Sequence, residues 1–522
     1  MAWFRAGEAY LPGIIDLNAR WLANKPAMVC VGETLTWSAC RQRLGRVAAG
    51  LAALGLEPGD RVIILMRNGL EMAEAQFGTI YGGFVAVPLN VAVSDEGILT
   101  LIRDSGAKAV IASHEHVQRL ADMGEELPEE LTGRMIGHTG PGAEAEGFIE
   151  YTAWRDHHQA RESGYPVTAG DECNIIYSSG TTGLPKGIVH SHQCRAAWAY
   201  DMALALRYHA GARTLCSLGL YSNITWVAML ATFWCGGTIV VTPSFDAEGF
   251  LATVQDERVT HSAMVPVQFQ RIMEHPALGR YDISSLDSLM CCGSPLQEPL
   301  KRRIYDEICS GFIELYGLTE GLVTTLQPED AELRMNSVGR PCPGQDIVIL
   351  GNDDEVLAAG EAGEIVGYGR LLMTGYLNRD DANEEAAWTD DEGRRWLRTG
   401  DIGRLDNEGF LYLVDRKKDM ILSGAQNVYP ADIEAVAVRH PGVADIAVIG
   451  VPSEKWGETP LAVVVPTGGE DTDAGALTAW INERVGKQQR VAGVVFVGEL
   501  PRNPNGKVLK RELRRDYADT RV

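Results

Sequence analysis

The stretch IIYSSGTTGLPKG, residues 175–187, decides how the rest of this sequence is interpreted. It starts as a short apolar strand and continues as a run of glycines and hydroxyl residues that closes on Lys186. Glycines allow backbone N–H groups to approach an anion closely, and serine and threonine hydroxyls add further donors. The stretch therefore predicts a phosphate-binding loop. Its predicted ligand contacts are Ser178, Ser179, Gly180, Thr181, Thr182, Gly183 and Lys186.

Two other interpretations fit this loop less well. A Walker A loop would have serine or threonine after the lysine, whereas Gly187 follows Lys186 here, and the glycine spacing also differs. A flexible surface loop is the usual meaning of an isolated Gly/Ser/Thr stretch. A strand followed by this ordered set, ending in Pro-Lys-Gly, is more specific than that.

The loop resembles the signature loop of the AMP-forming adenylating enzymes, which include acyl-CoA synthetases, stand-alone adenylation domains and firefly-type luciferases. The resemblance continues in order through most of the chain and favours the acyl- or aryl-CoA ligase branch. It implies an α/β fold with a large N-terminal domain of mainly parallel sheets and helices, a small β subdomain, and a small, mobile α+β C-terminal domain. The expected domains are residues 1–417 and 418–522, with a hinge at Lys418.

The apolar pattern along the chain is consistent with this fold. Strand and helix patterns alternate between residues 61 and 113 and again between 214 and 308, which is typical of a mainly parallel, covered sheet. Residues 124–146 are rich in Glu, Gly and Pro and predict an exposed connection. Short strands and glycine turns begin at Gly339 and predict the β subdomain. The charged residues 415–419 then precede the final α/β unit.

Length, charge and cysteine content restrict the class of protein. The chain has 522 residues, which is more than one domain usually contains. Its formal net charge of −23 argues against nucleic acid and anionic membranes as partners. The ten cysteines are scattered without a CxxC pair, which predicts reduced thiols and a cytoplasmic location. The expected partners are small molecules, with no membrane span and with a homodimer as the expected assembly.

A second motif, YGLTE at residues 316–320, supplies the candidate metal ligand. By the resemblance, Tyr316 stacks near adenine, Thr319 bonds the α-phosphate region, and Glu320 ligates Mg²⁺ with the help of Ser178. A carboxylate beside phosphates suits Mg²⁺, because this ion keeps several waters and takes few protein ligands. Taken alone, the motif would more often be a strand-to-helix turn with a capping threonine.

Other segments complete the predicted nucleotide site by resemblance. The turn Gly293-Ser294-Pro295 resembles the adenine-binding segment. Asp401 matches the ribose-binding acid, although by itself it would be interpreted as a turn residue after glycine. Arg416 matches a second ribose contact, and its charged surroundings could otherwise be a solvated run. Gly317 is expected to contact the nucleotide as well.

Lys507 follows the turn Asn503-Pro504-Asn505-Gly506, which would hold it out on a tight loop. In the resembling family this lysine bridges the carboxylate and the α-phosphate in the transition state. The alternative is an exposed lysine in a basic tail. The predicted catalytic residues are Lys507, Lys186, Thr319 and Glu320, and Gly424 is expected to line the CoA tunnel. His190 and His192, just after the loop, are predicted to be structural.

The predicted acid pocket is mostly apolar. Its expected lining is Tyr221, Ser222, Ile224, Trp226, Val265, Gly293, Gly317 and Leu318. The gate that orients the carboxylate is either Tyr221 or Ser222, because the register of this segment is open. The pocket is expected to offer no cation for a second carboxylate and no anion for an ammonium group, which predicts an uncharged tail.

The sequence therefore predicts an AMP-forming acid–CoA ligase that uses ATP, Mg²⁺ and CoA. Its acid is expected to be aromatic or of medium chain length. The alternatives are a stand-alone adenylation enzyme that loads a carrier protein, a luciferase-like oxygenase, and a nucleotide-binding regulator without turnover. The Tyr221 segment has no acid to pair an amino group, which disfavours amino acids as substrates.

Overall fold

The computed structural model describes residues 8–139, 145–178, 185–416, 418–423, 426–453, 456–467, 473–502, 507–518 and 520. The chain divides into two compact units. The first contains Met1–Glu332, Pro341–Gln345 and Gly369–Glu385, and the second contains Leu333–Arg340, Asp346–Tyr368 and Ala386–Val522. This division groups the β subdomain with the C-terminal residues, so the boundary at residues 417 and 418 stays a prediction.

Within the described residues, the first unit contains an eight-stranded sheet whose central strands are parallel. Only the pairs at the end that carries the predicted loop are antiparallel. In spatial order the strands are β19 (Gly375–Tyr376), β9 (Lys186–Ser191), β8 (Glu172–Ser178), β4 (Val85–Pro88), β3 (Arg61–Leu65), β5 (Ala109–Ser113), β6 (Met135–His138) and β7 (Ile149–Glu150).

A second sheet has nine strands in the described part of the chain, and its interior is also parallel. In spatial order they are β16 (Arg340–Pro341), β15 (Val323–Leu326), β14 (Phe312–Gly317), β13 (Ser288–Cys291), β12 (His261–Met264), β10 (Arg213–Cys216), β11 (Thr238–Val241), β1 (Pro26–Cys30) and β2 (Glu33–Thr36). Most residues of the interior strands are buried, as expected for strands that are covered on both faces, although several of them are polar.

Helices connect and cover these sheets. They are α1 (Leu11–Trp21), α2 (Trp37–Ala53), α3 (Leu70–Tyr81), α4 (Asp95–Ser105), α5 (His114–Met123), α6 (Tyr151–His157), α7 (His192–Ala205), α8 (Asn223–Trp234), α9 (Ala247–Glu257), α10 (Pro266–Glu274), α11 (Glu298–Glu307), α12 (Pro328–Arg334) and α13 (Asp380–Glu385). Side-chain caps start several of them: Ser191 accepts from Cys194 N–H at α7, and Asp246 accepts from Gly249 N–H at α9.

The core of the first unit is rich in aromatic side chains. Trp37, Phe77, Trp226 and Phe233 are fully buried, and the ring centroids of Trp37 and Phe233 lie 4.9 Å apart. Close packing of such large side chains fixes the position of α8, which carries Trp226 and Phe233. This helix begins at Asn223, with Ser222 as its N-cap.

The second unit contains two five-stranded sheets within its described residues. The first consists of β17 (Gln345–Leu350), β18 (Gly363–Gly369), β21 (Arg395–Leu405), β20 (Ala387–Thr389) and β22 (Leu411–Arg416). The second consists of β24 (Gln426–Val428), β23 (Ile421–Ser423), β26 (Gly457–Pro466), β25 (Val443–Ser453) and β27 (Val494–Phe496). Its helices are α14 (Pro430–Ala437), α15 (Ala474–Asn482) and α16 (Lys510–Asp516).

The architecture confirms the predicted α/β class. One local expectation was wrong: residues 124–146 were predicted to be an exposed connection, yet they contain β6, whose Ile136 is fully buried. This strand forms because it pairs in parallel with Val110–Ser113 of β5. Among the described helices, none combines the length and the apolarity needed to cross a membrane.

Candidate active site

The ends of the predicted phosphate loop are held by two paired strands. Ser178 is the last residue of β8 and Lys186 is the first residue of β9, and the antiparallel register pairs these two residues directly. The sheet therefore fixes the hydroxyl and the ammonium-bearing residue on either side of the loop. The predicted contacts Ser179, Gly180, Thr181, Thr182 and Gly183 lie outside the described residues.

Tyr376 connects the loop lysine with the candidate metal ligand. Tyr376 lies on β19 and pairs with Ile188 of β9, so its ring lies beside the start of β9. The Lys186 Nζ atom lies 4.5 Å from the centroid of the Tyr376 ring, and the Tyr376 hydroxyl donates a 3.0 Å hydrogen bond to Glu320 Oε1. Burial and the neighbouring Glu320 charge raise the pKa of Tyr376, which keeps the phenol protonated as a donor.

The YGLTE residues form the tip of a hairpin. β14 ends at Gly317, and Leu318 N–H bonds the carbonyl oxygen of Leu322 at 3.1 Å before β15 begins. A Cβ atom on Gly317 would lie 2.5 Å from that carbonyl oxygen, so the tight turn requires glycine here. The Thr319 carbonyl oxygen accepts from His190 Nε2 at 2.8 Å, which ties the tip to β9.

The candidate Mg²⁺ ligands fit the chemistry of that ion. Glu320 provides a hard carboxylate oxygen that is oriented by Tyr376, and its peptide carbonyl accepts from Met373 N–H at 2.7 Å. Ser178 is half-buried and provides a hydroxyl at the start of the loop. One carboxylate and one hydroxyl, together with substrate phosphates and waters, make a suitable donor set for Mg²⁺.

The predicted adenine turn lies against the predicted acid pocket. Gly293 has a φ of +96°, a conformation that side-chain-bearing residues rarely adopt. A Cβ atom placed on it would lie 3.2 Å from Ile224 Cδ1 and 3.4 Å from Val265 Cγ1. Three predicted site residues therefore meet, and apolar atoms of α8 and of the segment before α10 face the turn. Ser294 and Pro295 follow it directly.

The two gate candidates have different surroundings. Ser222 is buried and caps α8, where its hydroxyl accepts from Ile224 N–H at 3.4 Å. Tyr221 is half-buried and packs against the main core, and burial raises the pKa of its phenol. Both residues lie directly before the first residue of α8.

A charge that the sequence did not predict lies beside one of the expected lining residues. Trp226, an expected lining residue, is fully buried, and the Arg195 guanidinium lies 5.4 Å from its ring centroid. Arg195 also bonds Asn223 Oδ1 at 2.9 Å. Arg195 is buried and its guanidinium is hydrogen-bonded to protein side chains, so the expectation that the pocket offers no cation to a second carboxylate stays a prediction. Val265 is buried and Leu318 is half-buried.

Sequence reasoning missed Arg195 and Tyr376. Arg195 lies among apolar neighbours on α7, including Cys194, Ala196 and Trp198, and a charge within a buried helical stretch was the available signal. Tyr376 had no comparable signal, because it lies about 190 positions after Lys186 in the chain and contacts it only through strand pairing.

The second unit brings together its own predicted nucleotide contacts. Asp401 on β21 pairs with Arg416 on β22, and Arg416 Nε lies 3.3 Å from Asp401 Oδ1. Lys507 lies close enough for the charges of Asp401 and Arg416 to shift its pKa. The pKa of Lys507 is lowered to about 8, chiefly by burial and next by the Arg416 charge, while Asp401 and Asp419 oppose the shift.

The proposed hinge residue Lys418 lies in a turn after β22. Backbone N–H groups of Asp419 and Met420 both bond the Arg416 carbonyl oxygen, at 2.9 and 3.0 Å. The Asp419 carboxylate also accepts from Arg514 of α16 at 2.8 Å. The predicted CoA-tunnel residue Gly424 lies outside the described residues.

Comparison with known proteins identifies the family. The model of the AMP-binding enzyme family matches residues 16–377, and that of the AMP-binding enzyme C-terminal domain matches residues 432–507. The chain is 34% identical to feruloyl-CoA synthase of Amycolatopsis sp over 503 residues, covering 96% of this chain and 97% of the relative. It is 34% identical to the long-chain-fatty-acid–CoA ligase FadD13 of Mycobacterium tuberculosis over 490 residues, covering 93% and 94%.

Solved structures agree with the sequence relatives. ATP-bound MatB from Rhodopseudomonas palustris has a TM-score of 0.88 and 26% identity, covering 98% of this chain and 100% of that one. The o-succinylbenzoate CoA synthetase of Bacillus subtilis, with its acyl-adenylate intermediate, has a TM-score of 0.84 and 28% identity, covering 97% and 99%.

The chain therefore belongs to the AMP-binding enzyme family. It is an AMP-forming acid–thiol ligase, and its co-substrates and cofactor are ATP, CoA and Mg²⁺.

Proposed function

We propose that this ligase activates a carboxylic acid with an uncharged, aromatic or medium-chain tail. The observation that carries the proposal is the approach of Ile224 and Val265 to Gly293, at 3.2 and 3.4 Å from its ideal Cβ position. Apolar atoms thus face the turn expected to hold adenine, next to the place where an acyl-adenylate forms. Each CH₂ buried there contributes about 0.8 kcal/mol, which favours a ring or a chain over acetate.

The names of the relatives support this range of acids. Two of them act on feruloyl and long-chain fatty acyl groups, and a third, from Bacillus cereus, is a 2-succinylbenzoate–CoA ligase with 31% identity. Aryl and alkyl acids both occur among these relatives. The missing side chain at Gly293 favours aryl acids, because a flat ring could lie against it.

Two reactions would share one site. In the first, a carboxylate oxygen attacks the α-phosphorus of ATP and the bond to pyrophosphate breaks. In the second, the CoA thiol loses its proton, its sulfur attacks the acyl carbon, and AMP leaves. Lys507 would hold the carboxylate and α-phosphate together in the first step, while Lys186 and the Thr319 turn bind phosphate oxygens.

The remaining site residues would bind the nucleotide and the ion. Tyr316, Gly293, Ser294 and Pro295 would contact adenine, and Asp401 and Arg416 the ribose. Glu320 and Ser178 would hold Mg²⁺, which supplies charge neutralisation for the phosphates when it is bound. Lys418 would be the hinge between the two reactions, with the domain boundary there, and Gly424 would line the CoA tunnel.

Location and assembly are also proposals. All ten cysteines are unpaired, which suits a reducing cytoplasm where ATP and CoA are available. A homodimer is the proposed assembly, because Trp21 and Leu204 expose large apolar surface at 74% and 68%. Light scattering of the purified chain measures its mass directly, and a monomer at micromolar concentration would contradict the dimer.

The substrate proposal is tested by kcat/KM for acetate, octanoate, benzoate, a cinnamate, succinate and phenylalanine with ATP and CoA. The proposal expects octanoate, benzoate or the cinnamate to lead. Preference for acetate, succinate or phenylalanine would contradict it. One relative from Streptomyces coeruleorubidus is a fatty acid–[acyl-carrier-protein] ligase at 32% identity, so a holo carrier protein is assayed alongside CoA.

A further inference from the structure

Arg195 is a fully buried cation in the middle of the first unit. The residue lies on α7 with 1% of its surface exposed. Its guanidinium donates to three side chains: Nε to Asn174 Oδ1 at 2.8 Å, Nη1 to Asn223 Oδ1 at 2.9 Å, and Nη2 to His190 Nδ1 at 3.2 Å. The Trp226 ring lies beside it, with its centroid 5.4 Å from the guanidinium carbon.

All of these partners are neutral. Within the described ranges no aspartate or glutamate is hydrogen-bonded or ion-paired with Arg195. Burial lowers the pKa of Arg195 to about 10, so the side chain stays charged at neutral pH. A buried charge without a counter-ion is unfavourable, and an apolar residue would fill the space at a lower cost. The arrangement therefore points to a need for three directed hydrogen bonds.

The first directed bond fixes the proton on His190. Because Arg195 donates to Nδ1, that nitrogen must be the acceptor, and the ring proton must lie on Nε2. Nε2 then donates to the Thr319 carbonyl oxygen at 2.8 Å. Burial and the Arg195 charge keep the pKa of His190 well below its ordinary value, so the ring remains neutral. His190, expected to be merely structural, thus connects Arg195 to the phosphate-binding turn.

The second directed bond reaches the acid pocket. Asn223 is the first residue of α8 and directly follows the gate candidates Tyr221 and Ser222. Its side-chain oxygen accepts from Arg195, which fixes the start of the helix relative to α7. Asn174, the third acceptor, lies on β8 four residues before Ser178. One rigid guanidinium therefore connects three elements around the site.

We propose that Arg195 is a positioning residue for adenylation: through His190 it holds the Thr319 turn, and through Asn223 it holds the first turn of the acid-pocket helix. The proposal rests on the proposed roles of Thr319 and α8. Lysine cannot replace Arg195, because a single ammonium group on a flexible stem does not reproduce the planar fork that serves three acceptors.

The direct test is the protonation pattern of His190. Protein with ¹⁵N-labelled histidine is compared by NMR at pH 7 as wild type, Arg195→Met and Arg195→Lys, and His190→Gln identifies the signal by its absence. The wild type is expected to show His190 as the neutral Nε2–H form. In both Arg195 variants the signal should change to a mixture of forms. A wild-type pattern in Arg195→Met would overturn the proposal.

Kinetics provide the second readout. Both Arg195 variants should lower kcat for acid-dependent pyrophosphate exchange about 10- to 100-fold, as small misplacements of reacting groups do. The KM for CoA with preformed acyl-adenylate should be unchanged. The control is Arg207→Met, which removes an exposed arginine bonded to Glu329 just after the same helix. Equal losses in both reactions, or a wild-type rate in both variants, would contradict a positioning role.

Folding and function can be separated in this design. If Arg195→Met does not fold, as judged by its melting curve, Arg195→Gln replaces it, because it retains one donor and one acceptor. If the wild type itself shows no acid-dependent exchange, the proposed function fails. The His190 pattern still tests the Arg195 proposal in that case, since it requires no turnover.

Discussion

The Tyr376 hydroxyl donates to Glu320 Oε1 at 3.0 Å, while Lys186 Nζ lies 4.5 Å from the centroid of the same ring. One phenol thus lies between the cation of Lys186 and the carboxylate of Glu320, which are 134 positions apart in the sequence. The phenol thus contacts both groups that the resemblance assigns to phosphate and metal binding.

Removing only the hydroxyl of Tyr376 should weaken Mg²⁺-dependent catalysis. Tyr376→Phe keeps the ring beneath Lys186 but loses a hydrogen bond to a charged group, which is typically worth about 1.5–3 kcal/mol. The Mg²⁺ concentration needed for half-maximal exchange should rise about tenfold or more, because this is the factor to which the lost free energy corresponds. Tyr368→Phe, an exposed tyrosine of the second unit, is the control. An unchanged Mg²⁺ titration in Tyr376→Phe would show that Glu320 does not depend on this bond.

Filling the space at Gly293 should impair acid binding. Gly293→Ala places a methyl group 3.2 Å from Ile224 and 3.4 Å from Val265, at a φ of +96° that alanine tolerates poorly. Strain of this kind costs about 1–3 kcal/mol, and part of it should appear as a higher KM for bulky acids. Gly279→Ala is the matched control, because nothing lies within 4 Å of its added methyl group. If the KM values of Gly293→Ala for benzoate and for acetate both equal those of the wild type, Gly293 does not line the pocket.

The first half-reaction should lose activity at alkaline pH because of Lys507. Its pKa is lowered to about 8, chiefly by burial and next by the Arg416 charge, and its proposed role requires the protonated form. Raising the pH through this value deprotonates the ammonium, so kcat/KM for exchange should fall about tenfold per pH unit above it. In Lys507→Arg the alkaline loss of kcat/KM should move to a pH above the measurable range, because the guanidinium stays charged. Lys108→Arg, an exposed lysine paired with Asp60, is the control. An identical alkaline fall in Lys507→Arg would assign it to another group.

Cleavage near the proposed hinge should separate a small C-terminal fragment. Lys418 lies in a turn, and trypsin recognises both lysines at 417 and 418. The expected product is a fragment that begins at residue 418 or 419. A variant with glutamine at both positions keeps only the trypsin site after Arg416, the last residue of β22, and should be cut more slowly. Main cleavage in the middle of the chain, with the 415–419 segment intact, would contradict the hinge.

Local sequence patterns were sufficient for the elements that contain the site. The apolar run before Ser178 predicted β8, and glycines at 293 and 317 marked turns that the backbone indeed requires. These features depend on neighbours in the chain. The pattern failed for β6, where Met135 and Ile136 form a strand only because β5 provides a partner.

Long-range contacts account for the rest of what was missed. The position of Tyr376 depends on the pairing of β19 with β9, and the setting of Arg195 depends on acceptors from three separate elements. No local sequence pattern encodes such long-range contacts. The contacts group the β subdomain with the C-terminal residues, and the boundary at residues 417 and 418 stays a prediction.

The most direct measurement of the central claim is exchange of labelled pyrophosphate into ATP without CoA, across the acid panel. The wild type is expected to exchange only when a suitable acid is present, and to release one AMP per thioester once CoA is added. Lys507→Ala should lose exchange by a factor corresponding to about 3–4 kcal/mol or more, yet still convert preformed acyl-adenylate to thioester. Absence of acid-dependent exchange in the wild type, or equal loss of both reactions in Lys507→Ala, would contradict the account.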